Sequence, residues 1–204
     1  MDRKTDWSEW HQRAVAHLAP DERSSNLDPQ GRPPLRPHEL IQSLAAHDVE
    51  WVLAGSAVFA LYGADMTPKD LDIVPSTHEA NLHRVAQLLE ELNAIPTHQP
   101  EWRWTLSISE CRRWRPLPAV EGNLDHQFVT PFGILDIVPG TAGSFDELSR
   151  DAAEVAIDSN PILVANPRHV ASLLAARPKD GGRAMEIDRA LQSFESGATP
   201  TSPW

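Results

Sequence analysis

Three acidic residues sit inside apolar stretches: Asp70 and Asp72 in Asp70-Leu71-Asp72-Ile73-Val74, and Asp136 in Leu135-Asp136-Ile137. A carboxylate in such a setting costs folding free energy unless a partner offsets it. A bound cation is one such partner. Side chains alternate faces along a strand. Asp70 and Asp72 therefore share a face while Leu71 and Ile73 turn to the core, and Asp136 stands in the same way between Leu135 and Ile137. Carboxylates from two neighbouring strands make an oxygen-only donor set. Mg²⁺ takes such a set and fills its shell with waters and substrate phosphates.

Upstream, the apolar run "WVLA" ends in Gly55-Ser56, with thirteen residues between Ser56 and Asp70. A glycine lets backbone approach a phosphate closely, and a helix starting there offers free N–H groups. Phosphate at the turn and metal on the adjacent strand could together serve an in-line displacement at phosphorus. Two metal ions would activate a hydroxyl and neutralise the leaving pyrophosphate, with Asp136 the candidate to help deprotonate that hydroxyl. An isolated Asp-x-Asp also occurs in metal-dependent sugar transferases and in plain turns; the full spacing is the more specific signal.

The elements that must position these residues can be read from periodicity. A helix is expected over residues 5–19, with Trp7, Trp10, Ala14 and Leu18 at helical spacing, either packed on the body or acting as a lid. A polar, proline-rich linker follows at 20–37 and a short helix at 38–47. "WVLAG" reads as a buried strand. Residues 56–62 read as a helix with Ser56 at its N-cap and Gly63 just past its end. "DLDIVP" is a strand, and "STHE" at 76–79 has the form of a capping box. It opens a helix striped by Leu82, Val85, Leu89 and Leu92. Residues 96–125 read as irregular. "QFVTPFGILDIVPG" is a strand, a turn and a strand. A helix over 145–153, short strands at "EVAI" and "PILVA", and a helix from Asn166-Pro167 to Ala176 come next. Gly181-Gly182 reads as a break before a last helix carrying Ile187, Ala190, Leu191 and Phe194. The tail "ESGATPTSPW" reads as disordered.

The 204 residues suit one domain or one with an appended helical part. A single cysteine, Cys111, excludes an internal disulfide framework and fits a reducing compartment. The charged N-terminus and the lack of a long apolar run lead to the expectation of a cytoplasmic protein with no membrane partner. The net charge of −11 argues against a surface that grips nucleic acid throughout. A local exception is "EWRWTLSISECRRWRP", which concentrates Trp102, Trp104, Trp114, Arg103, Arg112, Arg113 and Arg115. Indoles that stack bases and arginines that meet phosphates would suit single-stranded RNA or a tRNA end. The same tryptophans could equally be core, with arginine stacked on them.

Taken together, "LAGSAVFALYG…KDLDIVP" resembles the signature of the DNA polymerase β-type nucleotidyltransferase superfamily. "FVTPFGILDIVPG" resembles its third-carboxylate strand. "PILVANPRHVASLLAARPKD" is similar to the AbiEii-type toxin branch, in which a strand leads to a helix and an Arg-x-Lys-Asp segment. The resemblance spans about residues 38–195. It implies an α/β (α+β) fold: a mixed-sheet nucleotidyltransferase core at 38–160 with flanking helices, a small helical C-terminal part at 161–195, and flanking segments at 1–37 and 196–204. It implies Asp70, Asp72 and Asp136 as ligands of two Mg²⁺ ions. Gly55 and Ser56 would hold nucleotide phosphates, Lys179 and Asp180 would be catalytic, and Lys179 would also touch the nucleotide. Ser172 stands where the branch carries a lysine, and Gly181-Gly182 interrupts the offset to its next aspartate, for which Asp188 is the nearest substitute. The implied activity moves a nucleoside monophosphate from an NTP to an acceptor hydroxyl. The implied role is toxin-like, with tRNA as the favoured acceptor and a cognate toxin or antitoxin as partner. The alternatives are an AMPylating antitoxin-type enzyme acting on a protein, an aminoglycoside nucleotidyltransferase, and a non-catalytic binding module.

Overall fold

The computed structural model describes residues 11–12, 14–20, 22, 26–102, 105–120, 122–138, 142–175 and 181–204. Of the helix expected at 5–19, residues 5–10 and 13 lie outside them; residues 11–12 and 14–15 are helical, whereas 16–19 are turn and coil. Further along the chain lie α1 (Pro37–Ala46), β1 (Trp51–Leu53), α2 (Gly55–Leu61), β2 (Asp70–Pro75), α3 (Glu79–Glu91), β3 (Ile95–Pro96) and α4 (Ile108–Arg113). They are followed by β4 (Gln127–Thr130), β5 (Gly133–Ile137), α5 (Phe145–Ser149), β6 (Ala153–Ile157), β7 (Asn160–Val164), α6 (Pro167–Ala175) and α7 (Gly181–Glu195). No helix among the described residues is long and apolar enough to cross a membrane.

The strands form one mixed sheet in the order β3-β4-β5-β2-β1-β7-β6, so the chain is of the mixed α/β class with flanking helices. β1 runs antiparallel to β2 and parallel to β7, while β2 runs parallel to β5. The central strands are fixed by burial: Val52, Leu53, Leu71, Ile73 and Leu135 are all fully buried. Asp70 and Asp72 alternate with the buried residues of β2 and are only partly covered. The β6–β7 hairpin extends the same sheet. The boundary expected at 160/161 thus falls inside β7, and residues 161–164 are sheet.

Several local expectations are corrected. Gly55 has φ +63° and turns the chain from strand into helix at once. α2 therefore starts one residue early with Ala54 at its N-cap, no side chain caps it, and Ser56 lies inside the helix. Ser76 does not cap α3. It still belongs to the strand end, where its N–H donates to the Glu50 carbonyl at 2.9 Å, and the N-cap of α3 is His78. Complete capping boxes form instead at Ser107/Glu110 and Ser144/Glu147, opening α4 and α5. Residues 96–125 are not wholly irregular, because β3 and α4 lie within or at the edge of them. α5 is shorter than expected, and Ala153 already begins β6. Gly181-Gly182 starts α7 rather than preceding it.

The flanking segments dock on the body. The Pro29 carbonyl accepts from the His98 N–H at 3.0 Å, and the Arg36 N–H donates to the Phe132 carbonyl at 2.8 Å. Gly133 admits this strap, since a Cβ there would lie 2.7 Å from the Leu35 Cα. At the other end the Thr201 N–H donates to the Leu61 carbonyl at 2.9 Å, and Trp204 packs on the main core. The tail is therefore placed, not free. α7 packs on α2 through a T-shaped Tyr62–Phe194 contact with centroids 5.4 Å apart.

Candidate active site

The sheet brings the expected carboxylates into one row. Asp72 on β2 is the ladder partner of Asp136 on β5, and Asp136 is in turn the partner of Gln127 on β4. Directly paired residues put their side chains on one face. Asp70 lies two residues before Asp72 on that face. At the other end of the row the Ala54 N–H donates to the Asp72 carbonyl at 2.9 Å. The chain then turns at Gly55, where a Cβ would sit 1.8 Å from Asp72 Oδ2. Only glycine allows this approach and this positive φ together. The Gly55-Ser56 turn and the Asp72 carboxylate are thus in contact, which the spacing alone does not fix.

Gln127 ties the row together. Its Nε2 donates to Asp70 Oδ2 at 3.4 Å and to Asp136 Oδ2 at 3.3 Å. Its Oε1 accepts from Gln99 Nε2 at 2.6 Å and from Thr97 Oγ1 at 3.3 Å. Asp70 and Asp136 therefore each turn an oxygen toward one nitrogen. Burial pushes the Asp70 carboxyl above its usual range, while the positive charges of Arg32 and Arg183 pull it back down.

Gly55, Ser56, Asp70, Asp72 and Asp136 all line one cleft of about 880 Å³. Gln99 and Trp102 also line it, as do Lys69 and Arg183. Trp102 is 59% exposed. His126 lines the cleft too but packs edge-on against Trp114 and Phe128, and burial pushes its imidazole down to about 4.

The proposed acceptor surface is dispersed. Trp114 is fully buried, tilted against Phe128 at 4.9 Å between centroids, and offers no open face to a base. Arg112, Arg113 and Arg115 are not among the residues that line the cleft. Arg115 instead donates to the carbonyls of Arg112 and Trp114. Trp102 is in a bend. Arg103, Trp104, Lys179 and Asp180 lie outside the described residues. Ser172 is exposed, and its hydroxyl donates to the His169 carbonyl at 2.7 Å.

Sequence reading missed Gln127, Gln99, Arg32 and Arg183. For Gln127 a signal existed. A two-residue loop at Pro131-Phe132 joins β4 and β5, and that loop length sets the register in which position 136 faces position 127. Arg32 and Arg183 come from segments distant in sequence, and no local pattern announces them.

Mg²⁺ fits the donor chemistry of this row. The donors are carboxylate oxygens on one face, and the missing Cβ at Gly55 leaves Asp72 room beside the turn. Among the described residues no group of three or more His, Cys, Asp or Glu side chains is arranged to hold a metal ion, and the Gln127 amide joins Asp70 to Asp136.

No family model matches the chain, and no curated protein matches it. Among solved structures, the antibiotic-resistance factor ANT(2'')-Ia in solution has a TM-score of 0.47 and 12% identity, covering 78% of this chain and 83% of that one. A crystal structure of ANT(2'')-Ia in complex with adenylyl-2''-tobramycin has a TM-score of 0.47 and 12% identity, covering 78% and 88%. An antigenic nucleotidyltransferase-like protein from Paracoccidioides brasiliensis has a TM-score of 0.48 and 15% identity, covering 83% and 81%. Likeness at this level does not place the chain in a family.

Proposed function

We propose that the chain is a metal-dependent nucleotidyltransferase that moves a nucleoside monophosphate from an NTP to an acceptor hydroxyl. The observation that carries this reading is the row itself: Asp72 faces Asp136 across parallel strands, with Asp70 on the same face and Gly55 pressed against Asp72. Gly55 and Ser56 hold the nucleotide phosphates. Asp70, Asp72 and Asp136 are the residues that would hold Mg²⁺, two ions by the sequence resemblance. When bound, Mg²⁺ supplies charge neutralisation at the phosphates and lowers the pKa of the attacking hydroxyl. Asp136 accepts the hydroxyl proton. The acceptor oxygen bonds to the α-phosphorus as the bond to the bridging oxygen breaks, and pyrophosphate leaves. Lys69 and Arg183 line the cleft as cations for the outgoing phosphates; by resemblance Lys179 and Asp180 are catalytic and Lys179 also touches the nucleotide.

The acceptor reading shifts from the sequence expectation. A tRNA acceptor and a toxin-like role rest on the resemblance, while Trp114 is core and Arg112, Arg113 and Arg115 do not line the cleft. Asp65, Asp125 and Glu186 join the three aspartates in lining it, against Lys69 and Arg183 among the described residues. Walls of that sign favour a cationic polyol, such as an aminoglycoside, over a polyanion.

Thermal melting tests the site. At an Mg²⁺·NTP concentration about 100 times Kd, the midpoint rises by roughly 5–10 °C, because a ligand that binds only the native state stabilises it. No shift with Mg²⁺ and any NTP contradicts the reading. A shift without transfer to any acceptor leaves the binding module.

A further inference from the structure

We propose that Gln127 is a positioning residue that sets the orientation of Asp136, the group assigned to take the acceptor proton, and couples it to the segment at 97–102; this rests on the nucleotidyltransferase reading. Nε2 is the Gln127 atom set toward Asp70 Oδ2 and Asp136 Oδ2, and an amide NH₂ donates where carboxylate oxygens accept. Turned over, the amide would set its oxygen against two carboxylate oxygens. The far side of the amide agrees. Oε1 receives Gln99 Nε2 at 2.6 Å and Thr97 Oγ1 at 3.3 Å. Gln99 is itself fixed: its Nε2 also donates to Thr97 Oγ1 at 3.0 Å, and its backbone N–H donates to Thr105 Oγ1 at 2.8 Å. Its carbonyl accepts from the Trp102 N–H at 2.9 Å.

The result is a chain of contacts from the loop carrying exposed Trp102, through Gln99 and Gln127, to the carboxylates. With Asp136 Oδ2 tied to Gln127, the carboxylate is held against rotation, and its other oxygen keeps one direction. The in-line geometry also gives the chain a place. With phosphates at Gly55-Ser56, on the β1 side of the row, the attacking hydroxyl enters from the opposite side. That side is the β4 side of the row, where Gln127 stands with Gln99 hydrogen-bonded to it. An acceptor that shifts the loop therefore shifts the base that must deprotonate it.

The test uses the full chain with Gln127→Met, which keeps length but has no N–H, together with Gln99→Met and the double variant. Gln127→Met is expected to lower kcat for NMP transfer by about tenfold or more, with the KM for NTP within about threefold, as for other residues that orient a ligand-bearing carboxylate. The double variant is expected to be no worse than Gln127→Met alone, because both act through one chain. An unchanged kcat, additive losses, or a loss explained by a lower melting midpoint overturns the proposal. A readout without catalysis separates this from failure of the enzyme reading. Gln127→Glu adds a carboxylate beside Asp70 and Asp136, so its Mn²⁺ affinity by calorimetry is expected to rise about tenfold or more over wild type. Tighter Mn²⁺ binding with no transfer by any variant keeps the placement of Gln127 and sinks the enzyme reading; unchanged Mn²⁺ affinity overturns the placement.

Discussion

Gly55 is the residue at which chemistry and backbone meet. Its φ of +63° is a region that residues with a side chain enter at a cost, and a methyl there would fall 1.8 Å from Asp72 Oδ2. Gly55→Ala is expected to lower stability by roughly 1–3 kcal/mol and to abolish transfer, since Asp72 or the turn must move. Urea unfolding beside an activity assay checks this; wild-type values in both would contradict it. His126 gives a second prediction. Burial keeps its imidazole neutral down to about pH 4, whereas in the unfolded chain it protonates near 6.5. Between those values the unfolded state binds the extra proton, so stability falls as pH falls, by roughly 3 kcal/mol once pH is below the lower value. His126→Phe keeps a ring against Trp114 and Phe128 and removes this loss. Unfolding free energies at pH 7 and pH 4.5 should converge more closely in the variant than in the wild type, and equal acid losses would contradict the assignment.

The elements show which features a sequence exposes. β2 and β5 were legible because apolar residues alternate with Asp70, Asp72 and Asp136, a pattern that only a strand with one buried face explains. Their parallel pairing was not, because β5 is reached through distant chain. Start signals were less legible. Ser76 and Glu79 have capping-box spacing, yet Ser76 is taken by the strand end, and the boxes that form are at Ser107 and Ser144. The tail reads as coil from its Thr, Ser and Pro content, but Thr201 and Trp204 find partners on the body that composition cannot announce. Trp114 is the instructive case at the site. Its neighbours are arginines, so local sequence suggested a surface, while α4 delivers the indole onto β4. Trp114→Ala is therefore expected to cost roughly 3–5 kcal/mol of stability, as for other large core aromatics. A variant of native stability with a raised acceptor KM would restore the surface reading.

At the scale of the molecule, the sheet, α6 and α7 converge on one cleft, and Arg32 of the strap at 26–36 is close enough to bias the Asp70 carboxyl. The cleft's described walls are acidic on a chain of net charge −11. A polyanionic NTP enters such a cleft only with its charge compensated, which ties nucleotide binding to a divalent cation. The same sign disfavours an RNA acceptor. Label transfer tests the central claim most directly. Wild type and Asp72→Asn are incubated with Mg²⁺ and each α-labelled NTP in turn, with a cationic polyol (tobramycin), total RNA and total cell protein supplied in separate reactions. The account predicts label in the small-molecule reaction with wild type, none with Asp72→Asn, and none when Mg²⁺ is chelated. Label in RNA or protein would keep the enzyme and overturn the acceptor; label transferred equally by Asp72→Asn, or none from wild type to any acceptor, would contradict the account.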